Sequence, residues 1–258
     1  MLHRVHTRSI TKICTLNVNS VVMNVLITGG SRGIGKELAI YFANEKVKRI
    51  FLLSRDVKKL EQVKKACEKS NSDVKIILLN HSLDDDQSFL KIVSEVKKYC
   101  SHLDIVVNNA GHLVNKTFSE ISKEELEKCY RVNVFGPFRL IQVLMPLLGG
   151  KNSTHIVNIG SMGGVQGASK FPGLSAYSSS KMALAGLTEC LAEEFKDKNI
   201  KVNCLSIGAV NTEMLKGAFP GYKAPHSAKQ MASFIGDFSI KGGQFFNGKI
   251  IPVAVSTP

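Results

Sequence analysis

From residue 24 onward, short apolar runs rich in β-branched residues alternate with longer stretches in which apolar positions recur every three or four residues. The runs are NVLIT (24–28), RIFLLS (49–54), VKIILLN (74–80), LDIVVNN (103–109), THIVNIGS (154–161), KVNCLSI (201–207) and KIIPVAV (249–255). Most are continuous rather than alternating, as in strands covered on both faces. Helical spacing occupies the intervals near 34–45, 57–70, 85–100, 122–148, 175–198 and 226–238. Ser122 followed by Glu125 has the form of a capping box, and Ser175 stands where it would cap 175–198. This alternation predicts an α/β fold, a doubly wound parallel sheet of about seven strands with helices on both faces and right-handed crossovers. No linker, repeat or change of composition follows residue 22, so residues 23–258 are expected to form one domain.

Composition narrows the class. The 258 residues are 44% hydrophobic and 21% charged, enough apolar material for a sizeable core and too much for a disordered chain. The cysteines at 14, 67, 100, 129, 190 and 204 form no CxxC pair and no metal-ligand spacing, which reads as reduced thiols in a cytoplasmic protein without a metal site. The longest apolar run, LIQVLMPLL (140–148), is far short of a membrane span. The net charge of +13 would suit nucleic acid or an acidic partner, yet the lysines of VKKLEQVKKACEK and KIVSEVKKY are interleaved with acids. No basic run alternates with aromatics, so these are solvated helix faces rather than a nucleic-acid surface. Residues 1–22 carry Arg4, Arg8 and Lys12 and no acid. They read as a disordered basic extension ahead of Met23, the alternative being an organellar transit peptide.

Two short stretches carry chemistry. The first strand runs straight into TGGSRGIG (28–35) and then a helix. Gly29, Gly33 and Gly35 permit a tight turn, and with Ser31, Arg32 and Ile34 they place backbone N–H groups at a helix N-terminus, where a pyrophosphate binds. The spacing is G-x3-G-x-G rather than G-x-G-x-x-G. At the end of the second strand, where a carboxylate would take an adenosine ribose, stand Ser54 and Arg55. Arg32 and Arg55 suit a 2′-phosphate instead, so NADP(H) is favoured over NAD(H), although Arg55 also reads as a surface charge opening a helix. The second stretch is YSSSK (177–181), which puts Tyr177 and Lys181 one helical turn apart on one face.

Taken together, TGGSRGIG, NNAG (108–111), Ser161 ahead of YSSSK, and SIGAVNT (206–212) resemble the short-chain dehydrogenase/reductase family in its single-domain form, over residues 24 to about 250. The resemblance implies that Asn109, Ala110 and Gly111 lie along the cofactor, and that Val210 and Thr212 meet its nicotinamide side. It puts Asn80 and His81 at the adenine contact, Ser161 on the substrate oxygen, and Asn133 in a disrupted helix that binds a water of the proton relay. Gly136 and Pro137 agree with that irregularity. The chain departs from the family pattern where Asn80 and His81 replace an Asp, where Ile207 replaces a proline, and where PVAVSTP replaces an Asp-Gly-Gly ending. The sixteen residues from Ser161 to Tyr177 exceed the usual spacing, which implies an enlarged loop over 162–176 beside the substrate.

The implied chemistry is a hydride exchange between cofactor and a small carbonyl or secondary alcohol, with Tyr177 as general acid or base. A phenol at its ordinary pKa of about 10 is a poor base. The Lys181 ammonium and an oxidised nicotinamide would bring it toward neutrality. Ser161 would polarise the carbonyl. His112 reads as an incidental loop histidine, and Ser175 as a cap rather than a nucleophile. Two alternatives are a 3-oxoacyl-(acyl-carrier-protein) reductase, which could use the positive charge, and a non-catalytic dinucleotide-binding regulatory protein. Small residues Ser178, Ser179, Ala183, Ala185 and Gly186 would let the 175–198 helix pack closely, as across the homodimer or homotetramer contacts common in the family. Residues 162–176 and EMLKGAFPGYKAPH (213–226) would shape the substrate pocket.

Overall fold

Each continuous apolar run forms a strand: β1 (Met23–Thr28), β2 (Val47–Leu53), β3 (Lys75–Leu79), β4 (Ile105–Asn108), β5 (Thr154–Ser161) and β6 (Ile200–Ile207). The computed structural model describes residues 23–255, so the expectation for residues 1–22 lies outside the described residues. The intervening helices are α1 (Gly33–Ala43), α2 (Val57–Ser70), α3 (Asp86–Lys97), α4 (Lys123–Tyr130), α5 (Gly136–Leu144) and α6 (Ser175–Glu194). A short pair, β7 (Val210–Asn211) and β8 (His226–Ser227), encloses α7 (Glu213–Ala218), and α8 (Ala228–Lys241) leads to β9 (Ile250–Val253).

Among the described residues seven strands make one parallel sheet in the order β3-β2-β1-β4-β5-β6-β9. Successive residues of β1 point to opposite faces, each covered by helices. Val25 and Ile27 pack with Leu38 and Phe42 of α1 and Ile235 of α8. Leu26 packs on the other side with Ile92 of α3, Leu144 of α5 and Phe195. Burial on both faces is why the strand sequences do not alternate. No helix of the described residues is long and apolar enough to cross a membrane.

The disruption expected at Asn133 within 122–148 is present: α4 runs into a π turn at Arg131–Phe135 before α5. There the Gly136 N–H reaches back five residues to the Arg131 carbonyl, and Pro137 has no N–H to offer Asn133. Ser175 is the first residue of α6, not its cap; Leu174 holds that position and supplies no side-chain hydrogen bond. Residues 226–227 are strand, and Ser227 caps α8 in a capping box with Gln230. The small residues of α6 divide: Ser178 and Ala185 are buried within this chain, whereas Ser179 and Gly186 face outward.

Candidate active site

The chain reverses its winding direction between β1 and β4, which are neighbours in the sheet. At such a reversal the loops leaving the two strands turn apart and open a crevice at their carboxyl ends. TGGSRGIG leaves β1 there and NNAG leaves β4. An open cleft at this point is lined by Gly29, Ser31, Arg32, Gly33, Ile34, Ser54, Arg55, His81, Asn109, Ala110, Gly111, Tyr177, Lys181, Thr212, Glu213 and Met214, among others.

Close packing shapes the phosphate end. Gly29 has φ +68°, and a Cβ there would come within 2.9 Å of the Ala110 Cα. Asn109 ties the two loops: its Nδ2 donates to the Thr28 carbonyl at 2.9 Å, while the Thr28 hydroxyl accepts from the Ala110 N–H at 3.0 Å. The N-cap of α1, Arg32, provides no side-chain acceptor, and the first turn holds no acid. Its N–H groups and positive helix end therefore meet the cleft without a competing side-chain cap, the donor set that suits a pyrophosphate. Three cations stand around this end, each paired with a carboxylate. Arg32 Nη1 and Lys59 Nζ both lie 3.4 Å from Glu213 Oε2, and Arg55 Nη1 lies 3.6 Å from Asp84 Oδ2. The Ser82 hydroxyl, and secondarily Arg55, hold Asp84 below its ordinary pKa against the effect of burial.

At the other end, α6 carries Tyr177 and Lys181 into the cleft wall. Lys181 is 3% exposed; its Nζ donates to the Ile159 carbonyl at 2.7 Å and stands 5.8 Å from the Tyr177 ring centre. Ser161, the last residue of β5, hydrogen-bonds the Tyr177 side chain and accepts from the Gly163 N–H at 3.3 Å. Asn133 is fully buried behind them in the π turn. Its Oδ1 accepts from the His112 N–H at 2.8 Å, and its Nδ2 donates to the His112 carbonyl and the Ser180 hydroxyl, both at 2.9 Å. The wide π turn is thus fastened to the segment that continues NNAG. Cys129 Sγ sits in the same cluster, 3.4 Å from Asn133 Nδ2.

The anticipated drop of the phenol toward neutrality is not what the chain's own groups produce. Burial pushes Tyr177 up to about 12, with the Ser161 hydrogen bond opposing it, and burial brings the Lys181 ammonium down to about 8. At neutral pH the phenol of the chain alone therefore stays protonated. Difference absorbance at 295 nm between the protein and its Tyr177→Phe variant is expected to show no Tyr177 ionisation up to pH 10.5. A wave near pH 7 to 9 present only in the unsubstituted protein would contradict this burial argument.

The structure brings most of the sequence-derived residues together, but not all. Asn80 is exposed and outside the cleft lining, because β3 ends at Leu79 and the chain turns; Ser82 and Leu83 line the cleft beside His81. Val210 is buried in β7. Gly35 lies under the loop rather than in its lining, and Asn133 lies behind the wall. Sequence reasoning did not single out Lys59, Glu213, Cys129 or Ser180; Lys59 meets Glu213 across 154 positions and Cys129 meets Ser180 across 51. His112 meets Asn133 through its backbone, and burial lowers its side-chain pKa. The loop from Val165 to Leu174 closes on itself through Lys170, whose Nζ donates to the Val165 and Ala168 carbonyls at 2.6 and 2.8 Å.

A family model described as short chain dehydrogenase matches residues 23–223. The chain is 31% identical over 192 residues to dehydrogenase/reductase SDR family member 7B of Mus musculus, covering 74% of this chain and 58% of that longer protein. It is 30% identical over 207 residues to the 3-oxoacyl-[acyl-carrier-protein] reductase FabG of Chlamydia muridarum, covering 78% of this chain and 79% of that one. Among solved structures, L-sorbose reductase from Gluconobacter frateurii, complexed with NADPH and L-sorbose, superposes with a TM-score of 0.82 at 24% identity. That match covers 92% of this chain and 97% of the other, a likeness of fold.

Proposed function

The chain belongs to the short-chain dehydrogenase family, and on that footing we propose that it reduces a small carbonyl compound to a secondary alcohol, or runs the reverse reaction, with NADP(H) as cofactor. The observation that carries this reading is the Tyr177–Lys181 pair lining the same cleft as the glycine loop, with Ser161 hydrogen-bonded to Tyr177. When bound, the reduced nicotinamide supplies the hydride. Tyr177 gives its phenol proton to the carbonyl oxygen as that oxygen gains charge, and the Ser161 hydroxyl donates a hydrogen bond to the same atom. A neutral phenol, favoured by burial, is the form an acid requires. Lys181 stabilises the phenolate that remains, and its low-lying ammonium passes a proton back to it. Asn133, with its carbonyl given no N–H by Pro137, offers a place for a water that refills that path.

Arg32 and Arg55 support the choice of NADP(H) over NAD(H), since guanidinium pairs match a 2′-phosphate. Hydrogen bonds to a charged group are worth about 1.5–3 kcal/mol, so kcat/KM with NADPH should exceed that with NADH by about tenfold or more. Arg55→Gln should shrink that ratio; following the loss of dihydronicotinamide absorbance with a panel of ketones and aldehydes checks both. Equal use of the two cofactors would remove this part of the proposal. We further propose a cytoplasmic homodimer or homotetramer, a reading supported by the outward small residues Ser179 and Gly186 on α6.

A second reading, 3-oxoacyl-(acyl-carrier-protein) reduction, is favoured by the Chlamydia relative and by the net charge of +13, which an acidic carrier could use. It requires carrier-linked substrates to outperform the free acyl compounds at low salt and to lose that advantage at high salt.

A further inference from the structure

Two of the three cations at the phosphate end of the cleft are already taken by a carboxylate that comes from a different part of the fold. Glu213 opens α7 immediately after Thr212, whose hydroxyl caps that helix and whose Cγ2 lies 3.4 Å from the position a Cβ on Gly33 would occupy. One oxygen of Glu213 thereby reaches Arg32, ahead of α1, and Lys59, in the first turn of α2, both at 3.4 Å. Lys59 is itself placed by the N-cap Asp56, whose side chain accepts the Lys59 N–H at 3.0 Å. Arg32 and Glu213 thus line the cleft, with Lys59 paired to Glu213 beside it.

Resting on the dinucleotide reading above, we propose that Glu213 determines cofactor specificity: its carboxylate competes with the 2′-phosphate of the cofactor for Arg32 and Lys59. The two anions need the same N–H donors, and a carboxylate left beside a bound phosphate adds like-charge repulsion. The competition is mild enough to be tunable, because the side chains of Arg32 and Glu213 are 54% and 56% exposed and such pairs are weak. Releasing Glu213 does not free α7 altogether. At the far end of that helix the Ala218 carbonyl accepts from Asn115 Nδ2 at 2.7 Å, so the carboxylate can swing away while the segment stays anchored.

The test uses two cofactor fragments, 2′,5′-ADP and 5′-AMP, titrated calorimetrically into the full chain, into Glu213→Gln and into Glu193→Gln. The last removes an exposed carboxylate on α6, paired with Lys196 and remote from the cleft, and so controls for net charge. Glu213→Gln is expected to tighten 2′,5′-ADP by about three- to tenfold, raising its preference over 5′-AMP at least threefold, the range set by loss of two exposed pairs. Glu193→Gln should leave that preference unchanged. Adding Arg32→Gln to Glu213→Gln should remove most of the gain. An unchanged preference in Glu213→Gln, or equal tightening of both fragments, overturns the role of Glu213 and leaves the dinucleotide reading standing. Failure of the unsubstituted protein and all variants to bind either fragment or NADPH overturns both.

Discussion

Replacing Tyr177 by Phe is expected to lower kcat/KM for carbonyl reduction by about a thousandfold or more, with NADPH affinity held within about threefold. The substitution keeps the ring in the cleft wall and deletes only the hydroxyl that the proposed mechanism uses as its acid. Ser161 retains its bond from the Gly163 N–H, and Lys181 its bond to the Ile159 carbonyl, so the neighbouring side chains keep their supports. General acid catalysis contributes about two to four orders of magnitude, and the more acidic Lys181 ammonium is held by the Ile159 carbonyl at 2.7 Å. A purely dinucleotide-binding protein would show no turnover to lose. A variant that reduces carbonyls as fast as the unsubstituted protein would remove Tyr177 from the mechanism.

Gly35→Ala is expected to weaken NADPH binding by about a hundredfold. Gly35 is in the first turn of α1 and directly beneath the glycine loop. A Cβ there would overlap the Gly29 carbonyl oxygen and lie 2.6 Å from Asn109 Nδ2, the group that joins the ends of β1 and β4 through the Thr28 carbonyl. Backbone has no spare rotamer with which to yield, so the loop must lift, and overpacking of this kind costs about 1–3 kcal/mol. The cost falls on the floor of the cleft, where N–H groups must meet a pyrophosphate within hydrogen-bond range. Gly217→Ala is the control: nothing lies within 4 Å of its added Cβ in α7, outside the cleft lining, and alanine there should stabilise the helix by up to about 1 kcal/mol. Fluorescence titration of NADPH reads the binding, and thermal unfolding separates it from stability. Unaltered affinity in Gly35→Ala would show that the loop accommodates a methyl group and that the cradle is looser than its contacts indicate.

The layered fold was legible because strands buried on both faces must be continuously apolar, and Val25, Leu26 and Ile27 are all fully buried. The glycine loop was legible for a related reason: φ +68° favours glycine at position 29, and the close approaches at 29 and 35 leave no room for a Cβ. The π turn was half legible. Asn133 and the Gly136–Pro137 pair announced an irregular helix, but fastening Asn133 to His112 and Ser180 depends on contacts 21 and 47 residues apart in the chain. Local pattern cannot carry β7, α7 and β8, elements of two, six and two residues that exist through their pairing and their loops. Lys59 and Glu213 are separated by 154 positions and look like ordinary surface charges until the fold brings them together. The cap at residue 174 failed prediction because the first turn of α6 closes through backbone, the Ser178 N–H to the Leu174 carbonyl at 2.7 Å, without a side-chain acceptor. Among the chain's own groups burial outweighs the Ser161 hydrogen bond at Tyr177, so these residues alone do not lower the phenol; the expectation also called on the charge of an oxidised nicotinamide.

Transfer of isotope from cofactor to product tests the central claim most directly. NADPH carrying deuterium at both C4 positions is incubated with a reducible carbonyl compound, and the alcohol is analysed by mass spectrometry. The account predicts one deuterium on the carbinol carbon with the unsubstituted protein, and a labelled yield about a thousandfold lower with Tyr177→Phe at matched cofactor occupancy. Unlabelled alcohol, or equal labelled yields from the two proteins, would contradict it.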